Sequence, residues 1–399
     1  MFILNAFVDK VSGKNGCVLI NNETGEVLDL SNEETIILEN IMKNNINESK
    51  FKEYLIEKGW GIESNQSAYC EKLYSYKMET HGMTDFSLNK VLIELSGTCG
   101  LDCVFCDPNS NKAFASCSCK RWNYDAEEID YSNIIKQILI YNVQKIMIIG
   151  GDPFFYAYFK LKNVLSELKR QGYLGEIVII TNGSCINKEK VLYLSEYKNV
   201  RVNVIFLGTN EEEYRKITGK RNIYRKVVNS VKLLKNYNVK VNGTLLLNNF
   251  NMTNLEQSYL NLLDIDIGIK FVFDENFNSH TLLFSRQNRT IKPDYQTSKI
   301  LKETNCCLYS QLFIASDLKI YPCPYLREFC LGNANNEKLF NILKRGDYRE
   351  FWFISKKKIK GCNQCKYNTI CLDCRAVEYG VINDLYGEYY CNELSKIKE

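Results

Sequence analysis

Seventeen cysteines in a chain of 399 residues limit what this sequence can become more than any other feature, because they are not scattered. One group is Cys99, Cys103 and Cys106, with Cys117 and Cys119 close behind. The other is Cys306, Cys307, Cys323, Cys330, Cys362, Cys365, Cys371, Cys374 and Cys391. Cys17, Cys70 and Cys185 stand alone and read as small buried hydrophobes. Met1-Phe2-Ile3 is not a basic region followed by an apolar run, so no secretory signal is visible. No apolar stretch approaches the roughly 20 residues that a membrane span needs. The expectation is a cytoplasmic protein with no membrane association. Disulfides are disfavoured in that reducing compartment, so bunched thiols point to metal. With His81 and His280 as the two histidines, the ligand sets must be nearly all sulfur, which suits zinc or iron–sulfur clusters.

The rest of the composition excludes other classes. Lys and Arg total 51 against 47 Asp and Glu, a net charge of +4. No basic run argues for nucleic acid, and Lys356, Lys357 and Lys358 read as a solvated face. The length suggests two to three domains. Residues 1–75 read as a small independent unit. Its strands are Ile3 to Val11, Cys17 to Ile20 and Glu26 to Leu30. A helix comes next, capped by Ser31 with Glu34 in a capping box, then a second from Glu48 to Lys58 that stops at Gly59.

Residues 90–290 alternate strand and helix. Strands are expected at Val91–Leu95, Lys145–Ile149, Ile177–Ile180, Val202–Leu207 and Val239–Leu247. Helices are expected at Asn133–Tyr141, Leu161–Gln171 and Tyr224–Tyr237. That rhythm means a parallel sheet covered by helices, with its site beyond the C-terminal strand ends. Residues 300–399 lose the rhythm and need staples.

Three thiols on one loop, Cys99-x3-Cys103-x2-Cys106, can hold three irons of a [4Fe–4S] cube and leave the fourth open. A zinc site would need a fourth ligand, which Cys117 or Cys119 could supply. Gly150-Gly151-Asp152-Pro153 follows a strand. Its diglycine permits close backbone approach, and its acid can accept hydrogen bonds from an ammonium.

In these residues the sequence resembles the radical S-adenosylmethionine (SAM) superfamily. The resemblance implies a partial (β/α)6 TIM-like barrel and an enzyme that cleaves SAM to a 5′-deoxyadenosyl radical. Cys99, Cys103 and Cys106 would hold the SAM cluster, with Phe105 near the adenine. Gly150, Gly151 and Asp152 would meet the methionine amine. Asp152 stands where the family usually has Glu. Thr181-Asn182-Gly183 matches a family turn and a ligand wall. Arg215 falls where the family can place an arginine for the SAM carboxylate. The usual Ser and Asp-Gly of the fourth strand are absent from Ile205-Phe206-Leu207-Gly208.

The C-terminal cysteines resemble the SPASM domain, which holds two auxiliary [4Fe–4S] clusters and so brings the total to three. Carried over, auxiliary cluster II takes Cys362, Cys365, Cys371 and Cys391. Auxiliary cluster I takes Cys307, Cys323 and Cys374, with Cys306, Cys330 or an open site as the fourth position. Leu318 stands where the family carries glycine. Residues 1–75 look like the RiPP recognition element, which binds the leader of a ribosomally made precursor peptide as an added strand.

Together the resemblances imply a peptide maturase of sactipeptide or ranthipeptide type. It would form thioethers from a Cys sulfur to carbon and be fed electrons by a donor such as flavodoxin or ferredoxin. Carbon–carbon cross-linking and sulfatase-maturase-like oxidation are the alternative reactions. A zinc or iron–sulfur scaffold or electron carrier is the alternative without catalysis.

Overall fold

The computed structural model describes residues 1–46, 49–64, 88–113, 115, 119–122, 129–252, 262, 265–272, 290–292, 295–391 and 393. Glu48, residues 65–75, Cys70, His81, Cys117 and His280 lie outside the described residues. The chain divides into two compact units. One joins residues 1–85, 279–309 and 350–399, and the other joins 86–278 with 310–349.

In the first unit, the segment expected as one strand from Ile3 is two, β1 (Phe2–Leu4) and β2 (Val8–Gly13). Strands β3 (Gly16–Asn21) and β4 (Val27–Leu30) complete an antiparallel meander of order β2-β3-β4. Helix α1 (Asn32–Met42) starts at Ser31, whose side chain accepts from the Glu34 N–H while Glu34 returns the bond to the Ser31 N–H, as the capping box predicts. Helix α2 (Lys50–Glu57) leads to β5 (Gly61–Glu63), which pairs with β1.

All six residues of β3 are buried, and its alternation explains why. Cys17 and Leu19 face the α1 side with Leu30, Leu38, Ile41, Leu55 and Trp60. Val18 and Ile20 face the other way, onto Ile359, Cys362, Cys365, Tyr367 and Ile370. The N-terminal segment packs within this unit. It shares an apolar layer with the cysteine loops of the C-terminus.

The second unit is built on one nine-stranded sheet of order β11-β10-β9-β8-β7-β6-β12-β13-β14. Six parallel strands run in sequence: β6 (Lys90–Glu94), β7 (Lys145–Ile149), β8 (Glu176–Thr181), β9 (Val200–Phe206), β10 (Lys240–Leu247) and β11 (Asp266–Phe271). Between them lie α3 (Ser132–Leu139), α4 (Tyr158–Arg170), α5 (Lys188–Ser195), α6 (Glu211–Thr218) and α7 (Ile223–Asn236). Neighbours in sequence that are neighbours in the sheet, with helices joining β6 through β10, are the pattern of a (β/α) barrel segment. The open edge of β6 would expose unpaired backbone groups. It is taken by β12 (Gln311–Ile314), parallel to it, then by β13 (Lys319–Tyr321) and β14 (Gly332–Asn333). Residues 310–349 thereby extend this sheet. Leu318 turns the β12–β13 hairpin at a φ of 59°, the left-handed region that favours glycine. Among the described residues no helix is long and apolar enough to cross a membrane.

Candidate active site

The C-terminal ends of five consecutive parallel strands, with the loops that follow them, line one small cavity. Cys99, Leu101, Cys103, Phe105 and Cys106 line it from the loop after β6. Gly151 follows β7, Asn182 follows β8, Leu207 follows β9 and Leu246 lies near the end of β10. This is the end of a parallel sheet at which sites form. Cys119, Lys120 and Arg121 close the remaining side.

The diglycine is there because two loops touch. A Cβ on Gly150 would meet the Ser96 carbonyl oxygen at 2.6 Å, and one on Gly151 the Thr98 oxygen at 2.0 Å. Gly151 N donates to Ser96 O at 2.9 Å, and Asp152 N to Thr98 O at 2.8 Å. The backbone after β7 is thereby locked to the cysteine loop.

Several N–H groups aim at the sulfurs. Leu101 N and Asn182 Nδ2 donate to Cys99 Sγ at 3.4 and 3.3 Å, and Arg121 N to Cys106 Sγ at 3.3 Å. Such bonds stabilise negative charge on sulfur and are one lever on the potential of an iron–sulfur cluster. Burial pushes the Cys99 thiol up to about 12, with the Asp152 carboxylate adding to the rise. Cys103 and Cys106 are raised by burial as well. The thiolate is the metal ligand, so iron must displace protons to enter. Among the described residues no three Cys, His, Asp or Glu side chains converge on one point. The sulfurs ring the cavity instead. A soft, all-sulfur donor set on one loop fits a cluster with its irons at separate corners.

Two expected SAM contacts look different in the structure. Asp152 is buried, with Oδ1 accepting from Phe154 N at 2.8 Å. Its Oδ2 accepts from Thr181 Oγ1 at 2.8 Å and Asn182 N at 2.9 Å. It ties the β7 loop to the β8 loop, and Gly151 rather than Asp152 lines the cavity. Burial raises its carboxyl, against those three hydrogen bonds. Arg215 lies on the exposed face of α6, outside the cavity lining, because the helix turns Tyr214, Ile217 and Thr218 inward. The cations at the cavity are Lys120 and Arg121, which the motifs did not reveal. Arg121 pairs with Asp102, and Lys220 joins it at 3.0 Å while donating to Gly100 O at 2.6 Å. The Lys220 hydrogen bond holds the Asp102 carboxyl below its usual range.

In the other unit, Cys362, Cys365, Cys371 and Cys391 belong to one packed layer. Beside it Lys356 pairs with Asp373 at 2.9 Å and Glu388 at 2.8 Å, all three nearly fully buried. Arg375 pairs with the same two carboxylates and donates to Gly387 O at 2.6 Å. The solvated face expected of Lys356–Lys358 therefore holds for Lys357 and Lys358 and fails for Lys356. Cys307 and Cys374 belong to this unit and Cys323 to the sheet-bearing one. Cys306 and Cys330 are exposed.

Fold and site are those of a radical SAM domain, which uses a [4Fe–4S] cluster and SAM. Residues 93–261 match the Radical SAM superfamily, and residues 306–375 match SPASM, the iron–sulfur cluster-binding domain, which binds additional clusters. Among curated proteins, GTP 3′,8-cyclase of Petrotoga mobilis is 25% identical over 193 residues, 47% of this chain and 55% of that one. GTP 3′,8-cyclase of Clostridium perfringens is 24% identical over 219 residues, 52% of this chain and 65% of that one. The chain thus spans less than two thirds of either relative. Among solved structures, anSMEcpe with bound AdoMet superposes with a TM-score of 0.59 at 18% identity, covering 77% of this chain and 91% of that one. Streptococcus suis SuiB bound to precursor peptide SuiA gives 0.55 at 18%, covering 98% and 100%. At these identities the likeness is one of fold.

Proposed function

We propose that this chain is a peptide maturase that installs thioether cross-links, Cys sulfur to carbon, in a ribosomally made precursor peptide. The observation that carries the reading is the cavity shared by Cys99, Cys103 and Cys106 with the ends of the next four strands. When bound there, the reduced cluster and SAM supply hydrogen-atom abstraction from an unactivated carbon. The chain's own groups prepare the place. Phe105 offers an aromatic wall to the adenine, and Gly150 and Gly151 keep the backbone close. Asp152 positions the two loops that flank SAM. Lys120 and Arg121 suit the SAM carboxylate, the role expected of Arg215.

Cys362, Cys365, Cys371 and Cys391 are the ligand set for auxiliary cluster II, a reading supported by their common packed layer. Cys307, Cys323 and Cys374 are the set for auxiliary cluster I, on their spacing. The precursor's leader adds as a strand to an edge of the β2-β3-β4 meander. A flavodoxin or ferredoxin supplies electrons. The peptide substrate draws support from SuiB, whose fold spans nearly the whole chain and whose structure holds its precursor peptide.

Two measurements test this. Replacing Cys99, Cys103 and Cys106 by Ala should abolish 5′-deoxyadenosine formation and lower iron from about twelve to about eight per chain. Retained SAM cleavage would remove the assignment. Mass spectrometry of the precursor after turnover should show two hydrogens lost per cross-link and one alkylatable thiol lost with each. A two-hydrogen loss with every thiol still alkylatable would make the product a carbon–carbon link instead.

A further inference from the structure

A fourth sulfur faces the three that the superfamily motif accounts for. Cys119 lines the same cavity as Cys99, Cys103 and Cys106, although it lies outside the motif and thirteen residues beyond Cys106. The next three residues hold it in place. Lys120 N donates to Gly150 O at 3.4 Å, Arg121 N to Cys106 Sγ at 3.3 Å and Trp122 N to Gly97 O at 2.9 Å. The buried Trp122 ring lies under the Arg327 guanidinium at 3.8 Å and the Lys120 ammonium at 4.8 Å. Three successive backbone donors thus stitch the segment to the diglycine loop, to a motif cysteine and to the start of the loop after β6. These bonds hold the backbone of residues 120–122 and so keep Cys119 at the cavity, while its own side chain can rotate about Cα–Cβ.

We propose that Cys119 is a switchable fourth thiolate of this site: it closes the open iron while SAM is absent and gives way when SAM binds. The inference rests on the reading that Cys99, Cys103 and Cys106 hold the cluster. The exchange is redox-neutral. Cys119 would leave the iron as the SAM amine and carboxylate took its place, and the proton given up by the SAM ammonium would stay with the freed thiol. A ligand that must be displaced lowers the apparent affinity of its competitor by the fraction of sites left competent. The closed iron would also be shielded from loss and from oxidants between turnovers.

The test uses the full chain, anaerobically reconstituted, as wild type, Cys119→Ala and Cys119→Ser. Reduced and without SAM, the Ala variant should give a SAM-cluster EPR signal distinct from wild type. With saturating SAM the two signals should coincide. SAM should bind the Ala variant about tenfold more tightly, with Ser between the two. Identical SAM-free spectra, or unchanged SAM affinity, would overturn the proposal. So would a Cys119→Ala chain that cannot load the cluster, since the thiolate would then be an obligatory ligand and not a switch. The underlying reading fails separately, if the variant lacking Cys99, Cys103 and Cys106 keeps its full iron.

Discussion

Glu94 is fully buried at the end of β6, where a carboxylate persists only if its oxygens have partners. Arg327 supplies one at 2.5 Å, and Ser316 N donates to the other oxygen at 3.2 Å. Arg327 in turn donates to Pro324 O at 2.9 Å and covers Trp122. One guanidinium therefore joins the β6 end, the turn beyond Cys323 and the segment carrying Cys119. Arg327→Met should destabilise the chain by about 3–5 kcal/mol, because it strands a buried carboxylate. Adding Glu94→Gln should recover much of that, since the second change removes the uncompensated charge. Denaturant midpoints of the two variants check this, and an equal loss in both would show that packing of Arg327 dominates. Neither residue was legible as a site, because a pair separated by 233 positions has no local signature. The same blindness explains Lys356. Three adjacent lysines look alike in sequence, and only the fold turns the first toward Asp373 and Glu388.

Elements were easier to read than their partners. The strand Lys145–Ile149 was legible to the residue, and β6 to β10 were each found to within a position or two, because short apolar runs bounded by turn signals have few other uses. The motif cysteines and the diglycine were legible for the same local reason. Strand β3 was found, but not what it does. Its unbroken run Cys17-Val18-Leu19-Ile20 is the signature of burial on both faces. The tip of the β2–β3 hairpin shows the consequence. Lys14 N donates to Gln364 O at 2.8 Å, Asn15 Oδ1 accepts from Lys366 N at 3.1 Å, and Asn15 Nδ2 reaches Cys365 Sγ at 3.8 Å. At Gly13 a Cβ would sit 2.3 Å from Lys366 N. Gly13→Ala should thus lift the tip off the 362–365 loop, cost about 1–3 kcal/mol and lower the iron retained at auxiliary cluster II. Gly268, where a Cβ would meet nothing closer than 3.8 Å, is the control for glycine replacement by itself. Iron retention equal in both variants would show that the hairpin is no part of the cluster's support.

At the scale of the whole molecule, the N-terminal segment would combine the proposed leader binding with a second role that a truncation removes along with it. Under the proposed function, residues 1–75 bind the leader at a sheet edge. Independently of that, residues 1–64 cover the C-terminal cysteine loops of their own unit. Lys366 reaches back to donate to Leu30 O at 2.6 Å and pairs with Asp29 at 2.9 Å, and Tyr367 donates to Asp29 at 2.9 Å. Val18 and Ile20 bury Cys362 and Cys365. Deleting the segment would expose that apolar layer and two proposed ligands to water. Cluster potentials and lifetimes depend on solvent exposure and on hydrogen bonds to sulfur, and the loss is therefore expected at the cluster itself. A chain lacking residues 1–64 should bind its precursor poorly and also fall from about twelve irons to about eight. The SAM cluster lies in the other unit and should still produce 5′-deoxyadenosine. A self-contained recognition domain predicts a different outcome: weakened precursor binding with all twelve or so irons kept. Iron and sulfide analysis beside a leader-binding titration distinguishes the two. If only binding is lost, the shared layer is dispensable to the cluster and the covering role is wrong. If both are lost, leader recognition has to be dissected by point substitutions on the meander edges that leave β3 and the hairpin tip intact.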